Sequence, residues 1–238
     1  MTFLLQFLSI NKITNNDYVS FTFFIGCMAM MAASLFFFLS MNGFEKKWRV
    51  SILVSGLITF IAAVHYWYMR DYWGAYAESP TFFRYVDWIL TVPLMCVEFY
   101  LILKMAGAKK ILMWRMIFLS ILMLITGYIG EAIDRDNAQI WGLFSGIAYF
   151  TIVYDVWFGR PKKLATKAGG SILTAHKTLC WFVLVGWAIY PLGYMAGTPG
   201  WYDSLSGLSM DVIYNIGDAI NKIGFGLVIY NLAVQQQK

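Results

Sequence analysis

Seven stretches of this chain are long and apolar enough to cross a membrane, and three of them carry charges in their interiors. A membrane-crossing helix needs about 20 mostly apolar residues, and such stretches recur at 18–41, 48–70, 82–104, 109–130, 137–158, 173–196 and 207–234. The composition agrees: of 238 residues, 60% are hydrophobic and 13% charged, more apolar side chain than a soluble core of this size buries. No repeat of fixed period and no long polar linker divides the chain. The pattern therefore predicts an all-α membrane protein, a single seven-helix domain over 1–238.

The formal net charge of +5 does not point to nucleic acid, because the basic residues sit in short loops between the spans and not on a soluble face. Lys46, Lys47 and Arg49 mark the first loop, Lys104, Lys109 and Lys110 the third, and Arg160, Lys162, Lys163 and Lys167 the fifth. The other connections hold Arg70, Asp71, Glu78, Glu131, Asp134, Arg135, Asp136 and Asp203. Cytoplasmic loops carry an excess of Lys and Arg. The N-terminus is thus predicted to be extracellular, the C-terminus cytoplasmic, and the odd-numbered spans to run inward.

MTFLLQFLSI has no positive n-region and no A-x-A-like cleavage site, and reads as a short extracellular extension rather than a signal peptide. Among the connections, RDYWGAYAESPTFF suggests a small hairpin cap and GRPKKLATKAGG a basic loop. Pro93 and Pro191 fall inside the third and sixth spans, where proline often marks a kink beside a cavity. Cys27, Cys96 and Cys180 lie within spans and read as buried free thiols.

The charges inside the spans narrow the function. A charge at mid-membrane costs at least about 2.5–3.5 kcal/mol, so such residues face the bundle interior and mark a pathway or a ligand. Lys222 stands in DAINKIGFGLVIYN, with Asp218 one turn before it. A desolvated lysine there is either half of an i, i+4 ion pair or an amine that forms a Schiff base with an aldehyde. In RYVDWILTVPLMCVEFYLIL, Asp87, Thr91 and Glu98 fall at i, i+4 and i+11. They lie within roughly 40° of helix surface, with Glu98 roughly 16 Å from Asp87 along the axis. Because the third and seventh spans both run inward, Asp87 and Asp218 lie on the outer side of the lysine and Glu98 on the inner. A cation between two carboxylates keeps its proton, and an isolated carboxyl in apolar surroundings keeps its own. Once the cation's hold weakens, Asp87 is the acceptor outward and Glu98 the donor from within.

RYVDW, TVPL and Glu98 in the third span, WAIYP in the sixth, and Asp218 with Lys222 in the seventh together resemble the microbial rhodopsins, specifically the proteorhodopsin and xanthorhodopsin group of light-driven proton pumps. The resemblance covers all seven spans. It implies a bacterial, multi-pass protein of the inner (plasma) membrane that sits in the lipid bilayer as a homo-oligomer, a pentamer or trimer, and moves protons outward. It implies all-trans retinal held covalently on Lys222, with Asp87 as counterion and proton acceptor, Asp218 as second counterion and Glu98 as proton donor. Arg84 matches an arginine that organises the extracellular half, and His65, in AAVHYWYM, a histidine that hydrogen-bonds the acceptor aspartate.

Trp88, Thr91, Met95, Gly127, Tyr149, Trp187, Tyr190 and Pro191 would on the same resemblance line the chromophore; by spacing alone, aromatic residues like these are core. Met95 matches a colour-tuning position where an apolar residue goes with green absorption. Gly142, in IWGLFS, matches a glycine that in xanthorhodopsin-like members opens a window for a carotenoid antenna, although glycine in a membrane helix also serves close packing. Glu78 and Asp203 are positional candidates for proton release. The alternative reading is a sensory rhodopsin, a slow photoreceptor that signals through a partner. The retained Glu98 argues against it, because a sensor needs no rapid reprotonation. An enzyme is disfavoured, since no nucleophile constellation lies outside the bundle, and no metal site is predicted.

Overall fold

The computed structural model describes residues 17–201 and 210–237. Among these, seven helical spans run at Tyr18–Gly43, Lys46–Tyr76, Thr81–Lys104, Lys110–Ile133, Arg135–Ala168, Gly170–Gly197 and Met210–Gln235, and no strand occurs among the described residues. Short connections make consecutive spans antiparallel neighbours, and the seventh closes the ring by packing against the first, second and sixth.

The bundle is inside out relative to a soluble protein. Arg84, Asp87, Glu98, Asp218 and Lys222 are all buried, whereas Leu39, Phe60, Phe118, Phe150 and Phe158 stand exposed on the outer surface. Hydrocarbon favours this arrangement, because it solvates the large apolar side chains and offers nothing to a charge. Two apolar clusters flank the charged centre. Phe23, Met30, Ala62 and Tyr66 pack between the first two spans, and a larger cluster extends from Phe37 and Trp48 through Phe99 to Trp187 and Phe225.

The connections depart from expectation in two places. The second span continues to Tyr76 instead of ending near 70, and no hairpin cap forms. RDYWGAY contains no helix breaker stronger than one glycine, so the helix runs on until Ala77, which closes it in the left-handed region at φ 52°. The extra turns are tied down by Trp73, whose indole donates to the Asp17 carboxylate at 3.2 Å. The basic segment that ends the fifth span is a nine-residue helix, Arg160–Ala168, not a loop. Gly159 interrupts the chain before it, and Pro161 falls in the first turn, where a missing N–H costs nothing.

The two span prolines differ in effect. The helix runs unbroken across Pro93 in the third span, whereas Pro191 has no N–H to give the Trp187 carbonyl one turn earlier, and that carbonyl accepts from the Tyr190 N–H at 3.1 Å instead. The sixth span is irregular upstream, over Phe182–Gly186. There the Trp187 N–H reaches back five residues to the Phe182 carbonyl at 3.0 Å, a π turn. The expected start of the seventh span near 207 lies outside the described residues, as do the N-terminal extension and Asp203.

Glycines allow the closest approaches between spans. A methyl on Gly226 would stand 2.5 Å from the tip of the buried Phe37 ring. Gly226→Ala is expected to cost about 1–3 kcal/mol through overpacking and to lower the thermal unfolding midpoint in detergent. Gly43→Ala, with nothing within 4 Å of the new methyl, should leave the midpoint unchanged.

Candidate functional site

Lys222 is buried to 2% exposure at the centre of the bundle. Its ammonium donates to the Asp87 carboxylate from the third span and to Asp218 Oδ2, one turn earlier on its own helix, at 2.6 Å. One cation thus faces two carboxyl groups, both at 0% exposure. Removing one partner of such a buried set typically costs about 3–5 kcal/mol, and apolar replacements are often no less stable. Stability is therefore a poor account of why the three charges are there.

The two carboxylates are held differently. Asp218 accepts from the Tyr66 hydroxyl at 3.0 Å and from the Tyr190 hydroxyl at 2.7 Å, so both of its oxygens are engaged. Asp87 uses one oxygen for Lys222, and its Oδ1 has no hydrogen-bond partner among the described residues. His65 Nδ1 stands 3.9 Å from Oδ1. The expected hydrogen bond between them is not made; the His65 ring donates to its own helix, at the Ile61 carbonyl, 2.9 Å away. Thr91 likewise donates to the Asp87 backbone carbonyl at 2.8 Å and not to the carboxylate.

Towards the start of the third span, the buried Arg84 closes this end of the cluster. It pairs with Asp211 Oδ1 at 2.7 Å, donates to Asn215 Oδ1 at 3.1 Å, and lies over the rings of Phe23 and Tyr214. Asp211 also accepts from Ser79 at 2.9 Å, which links the arginine to the connection between the second and third spans. The positional candidate Glu78 is exposed in that same connection. Towards the other end of the third span, Glu98 is fully buried. Ser55 donates to its Oε1, and its Oε2 is without a partner among the described residues.

Beside the cluster lies a cavity of about 590 Å³, within the range of small-molecule pockets. Trp88, Gly127, Tyr149, Trp187, Tyr190 and Pro191, all expected at a chromophore, line it. Thr91 and Met95 are buried but not among its lining residues. Tyr190 joins the two features, because its ring faces the cavity while its hydroxyl holds Asp218. Trp88 meets that ring edge-on at 4.7 Å.

Gly142 also lines the cavity, but a methyl there would stand 2.7 Å from the Tyr194 ring. Its glycine serves the close packing of that ring. One turn on, Gly146 has nothing within 4 Å of the same position, and the lining continues through it to Leu143, Ile147 and Phe150, which are exposed on the outer surface. The cavity therefore opens sideways at Gly146.

Sequence reasoning missed Tyr66, Ser55 and Asn215 as partners of the buried charges. A hydroxyl or amide in an apolar span leaves no periodic signal, and only the fold shows which ones face the centre.

The family model for bacteriorhodopsin-like proteins matches residues 17–236. A green-light absorbing proteorhodopsin from Gamma-proteobacterium EBAC31A08 is 40% identical over 225 residues, covering 93% of this chain and 88% of the relative. The crystal structure of a blue light-absorbing proteorhodopsin from Med12 matches with a TM-score of 0.77 at 38% identity, over 92% of this chain and 100% of that one. Xanthorhodopsin, a light-driven ion pump with dual chromophore, matches with a TM-score of 0.82 at 29% identity, over 94% of this chain and 96% of that one. A match that spans the whole bundle, to relatives this similar in sequence and in fold, makes the chain a multi-pass membrane protein of the bacteriorhodopsin-like family, a microbial rhodopsin.

Proposed function

We propose that the protein is a light-driven proton pump that carries all-trans retinal as a Schiff base on Lys222 and moves protons out of the cell. The observation that carries this reading is the buried Lys222 amine between Asp87 and Asp218, backed by the apolar cavity that Tyr190 shares with it. Bound there, retinal would supply the light absorption and an aldehyde carbon that condenses with the Lys222 amine, losing water, so that Lys222 Nζ becomes the nitrogen whose hold on a proton changes after illumination. The aromatic walls of Trp88, Trp187 and Tyr190 confine an elongated apolar ligand.

The protein's own groups then divide the work. Asp87 has a free oxygen, Oδ1, in reach of the centre, whereas both oxygens of Asp218 are taken by phenols and the lysine. Asp87 is accordingly the acceptor and Asp218 the standing counterion. Glu98 keeps its proton in apolar surroundings until the Asp87 side has moved its own, and donates from Oε2. Arg84, with Asp211 and Ser79, forms the exit side. The basic first, third and fifth loops support the outward direction, with Glu98 towards the cytoplasm and Arg84 towards the outside.

The similar proteins support this reading, being proteorhodopsins and a light-driven ion pump. Dual-chromophore xanthorhodopsin and the sideways opening at Gly146 support a further element, a carotenoid antenna seated against Leu143, Ile147 and Phe150.

Vesicles or cells containing the protein with retinal should acidify the medium under light. Lys222→Ala should show no visible absorption band, and Asp87→Asn should keep a band but abolish acidification. Glu98→Gln should slow the final reprotonation by about 10²-fold, the lower range for a positioned proton donor, as read by flash photolysis. Relaxation over seconds without acidification would instead mark a photoreceptor.

For the antenna, an added carotenoid should contribute its bands to the action spectrum of the parent, and Gly146→Trp should remove them. A parent spectrum without those bands rejects the antenna and leaves the pump reading intact.

A further inference from the structure

The π turn in the sixth span is held from both sides. An i→i+5 turn takes carbonyls out of the regular helical ladder, and in an apolar bundle each must find another donor. Tyr149 of the fifth span donates its hydroxyl to the Val183 and Leu184 carbonyls at 2.9 and 3.0 Å. Asn221 of the seventh span donates its side-chain amide to the Gly186 carbonyl at 2.8 Å. Gly186 has no side chain to keep the amide away; a methyl there would overlap Asn221 Oδ1. Asn221 is itself buried, at 3% exposure, and is the residue immediately before Lys222.

The turn sits between two functional halves of the sixth span. Trp187, Tyr190 and Pro191 follow it and line the cavity. His176 and Cys180 precede it, and the His176 ring packs edge-on against Phe99, the neighbour of Glu98, with centroids 5.8 Å apart. A shift at Lys222 therefore reaches the segment beside Glu98 through one short chain of contacts, from the Asn221 amide to Gly186 and on through the π turn. Such turns recur at functional sites because they accommodate a change of register without breaking the helix.

We propose that Asn221 is a positioning residue that transmits displacement of Lys222 to the sixth span through Gly186, and so sets how fast Glu98 is reached by protons. The inference rests on the proposed function: Lys222 must bear the light-sensitive group. It requires a contiguous physical link with measurable coupling, which is what the mutants below test.

Asn221→Leu keeps the approximate volume and removes the donor; Asn221→Ser keeps polarity but is too short to reach Gly186; Gly186→Ala pushes the amide away from the other side. In retinal-reconstituted vesicles each is expected to retain a visible band and light-driven acidification. The last, reprotonating phase of the flash-induced absorbance change should slow by about tenfold, the effect of losing roughly one hydrogen bond. The Asn221→Leu/Gly186→Ala double variant should be no slower than either single one, because both remove the same contact.

A last phase within about twofold of the parent in Asn221→Leu, or in Asn221→Ser should the leucine variant not fold, overturns the coupling, as do singles whose effects multiply in the double variant. A lowered unfolding midpoint with unchanged kinetics also overturns it, since a merely structural contact would give that result. No visible band in the parent overturns the retinal reading and this coupling with it, an outcome distinct from a normal band with an unaltered last phase.

Discussion

A positive charge in the middle of a hydrocarbon slab has to be matched, and the matching of Lys222 organises this bundle. The ammonium sits in the seventh span, Asp87 comes from the third, and the phenols that complete Asp218 come from the second and sixth through Tyr66 and Tyr190. Four of the seven spans are thus fixed in rotation about their own axes by one polar centre. Lipid supplies no hydrophobic drive for helices to associate, so van der Waals packing and interhelical hydrogen bonds do that work. The glycines that let Phe37 and Phe38 approach neighbouring backbones act in the same sense, bringing the helices close enough for the central bonds to form.

The centre is useful because it is uneven. Asp218 is saturated and Asp87 is not. Glu98, farther along the same helix face, is isolated except for Ser55. Three carboxyl groups in one buried file therefore have three environments, and differences of that kind assign donor and acceptor roles among otherwise identical side chains. Arg84 adds the remaining asymmetry. Paired with Asp211 and bonded to Asn215, it places a fixed positive charge at one end of the file, whereas the Glu98 end has a serine hydroxyl as its partner among the described residues, so a proton on Asp87 meets different fields in the two directions.

Those charges were also what the sequence made legible. Lys222, Asp218, Asp87 and Glu98 stand out because ionisable residues are rare in apolar helices, and spacing alone puts Asp87 and Glu98 on one face of the third span and Asp218 one turn before Lys222 on the seventh. Charge or glycine punctuates the chain where individual α-helices end, as at Ser40, Lys104 and Phe158. Elsewhere the physics was less local. The turns from Arg70 to Tyr76 looked like loop because they mix charges with aromatics, yet they are anchored by Trp73 on Asp17 from another span. The lysines of Arg160–Ala168 suggested solvent, but the helix buries Pro161 and Ala165 beneath them. His65 was expected to bond Asp87 and bonds its own helix instead, because a histidine in a span can satisfy one ring nitrogen four residues back at no cost in packing.

Glycine shows most plainly where residue type stops being informative. Gly142, Gly146 and Gly186 all stand in apolar stretches, and nothing in their sequence contexts separates them. Their roles differ because of what stands opposite. A tyrosine ring fills the space at Gly142, nothing fills it at Gly146, and an amide lies on the backbone at Gly186. The first is packing, the second an opening, and the third a hydrogen bond that only a missing side chain permits. The π turn follows the same logic. Carbonyls released from the ladder are tolerable in lipid only if outside donors reach them, so the irregular geometry of the sixth span and the donors on the fifth and seventh stand or fall together. A change at Lys222 then cannot remain confined to its own helix, because the residue before it holds one of those carbonyls.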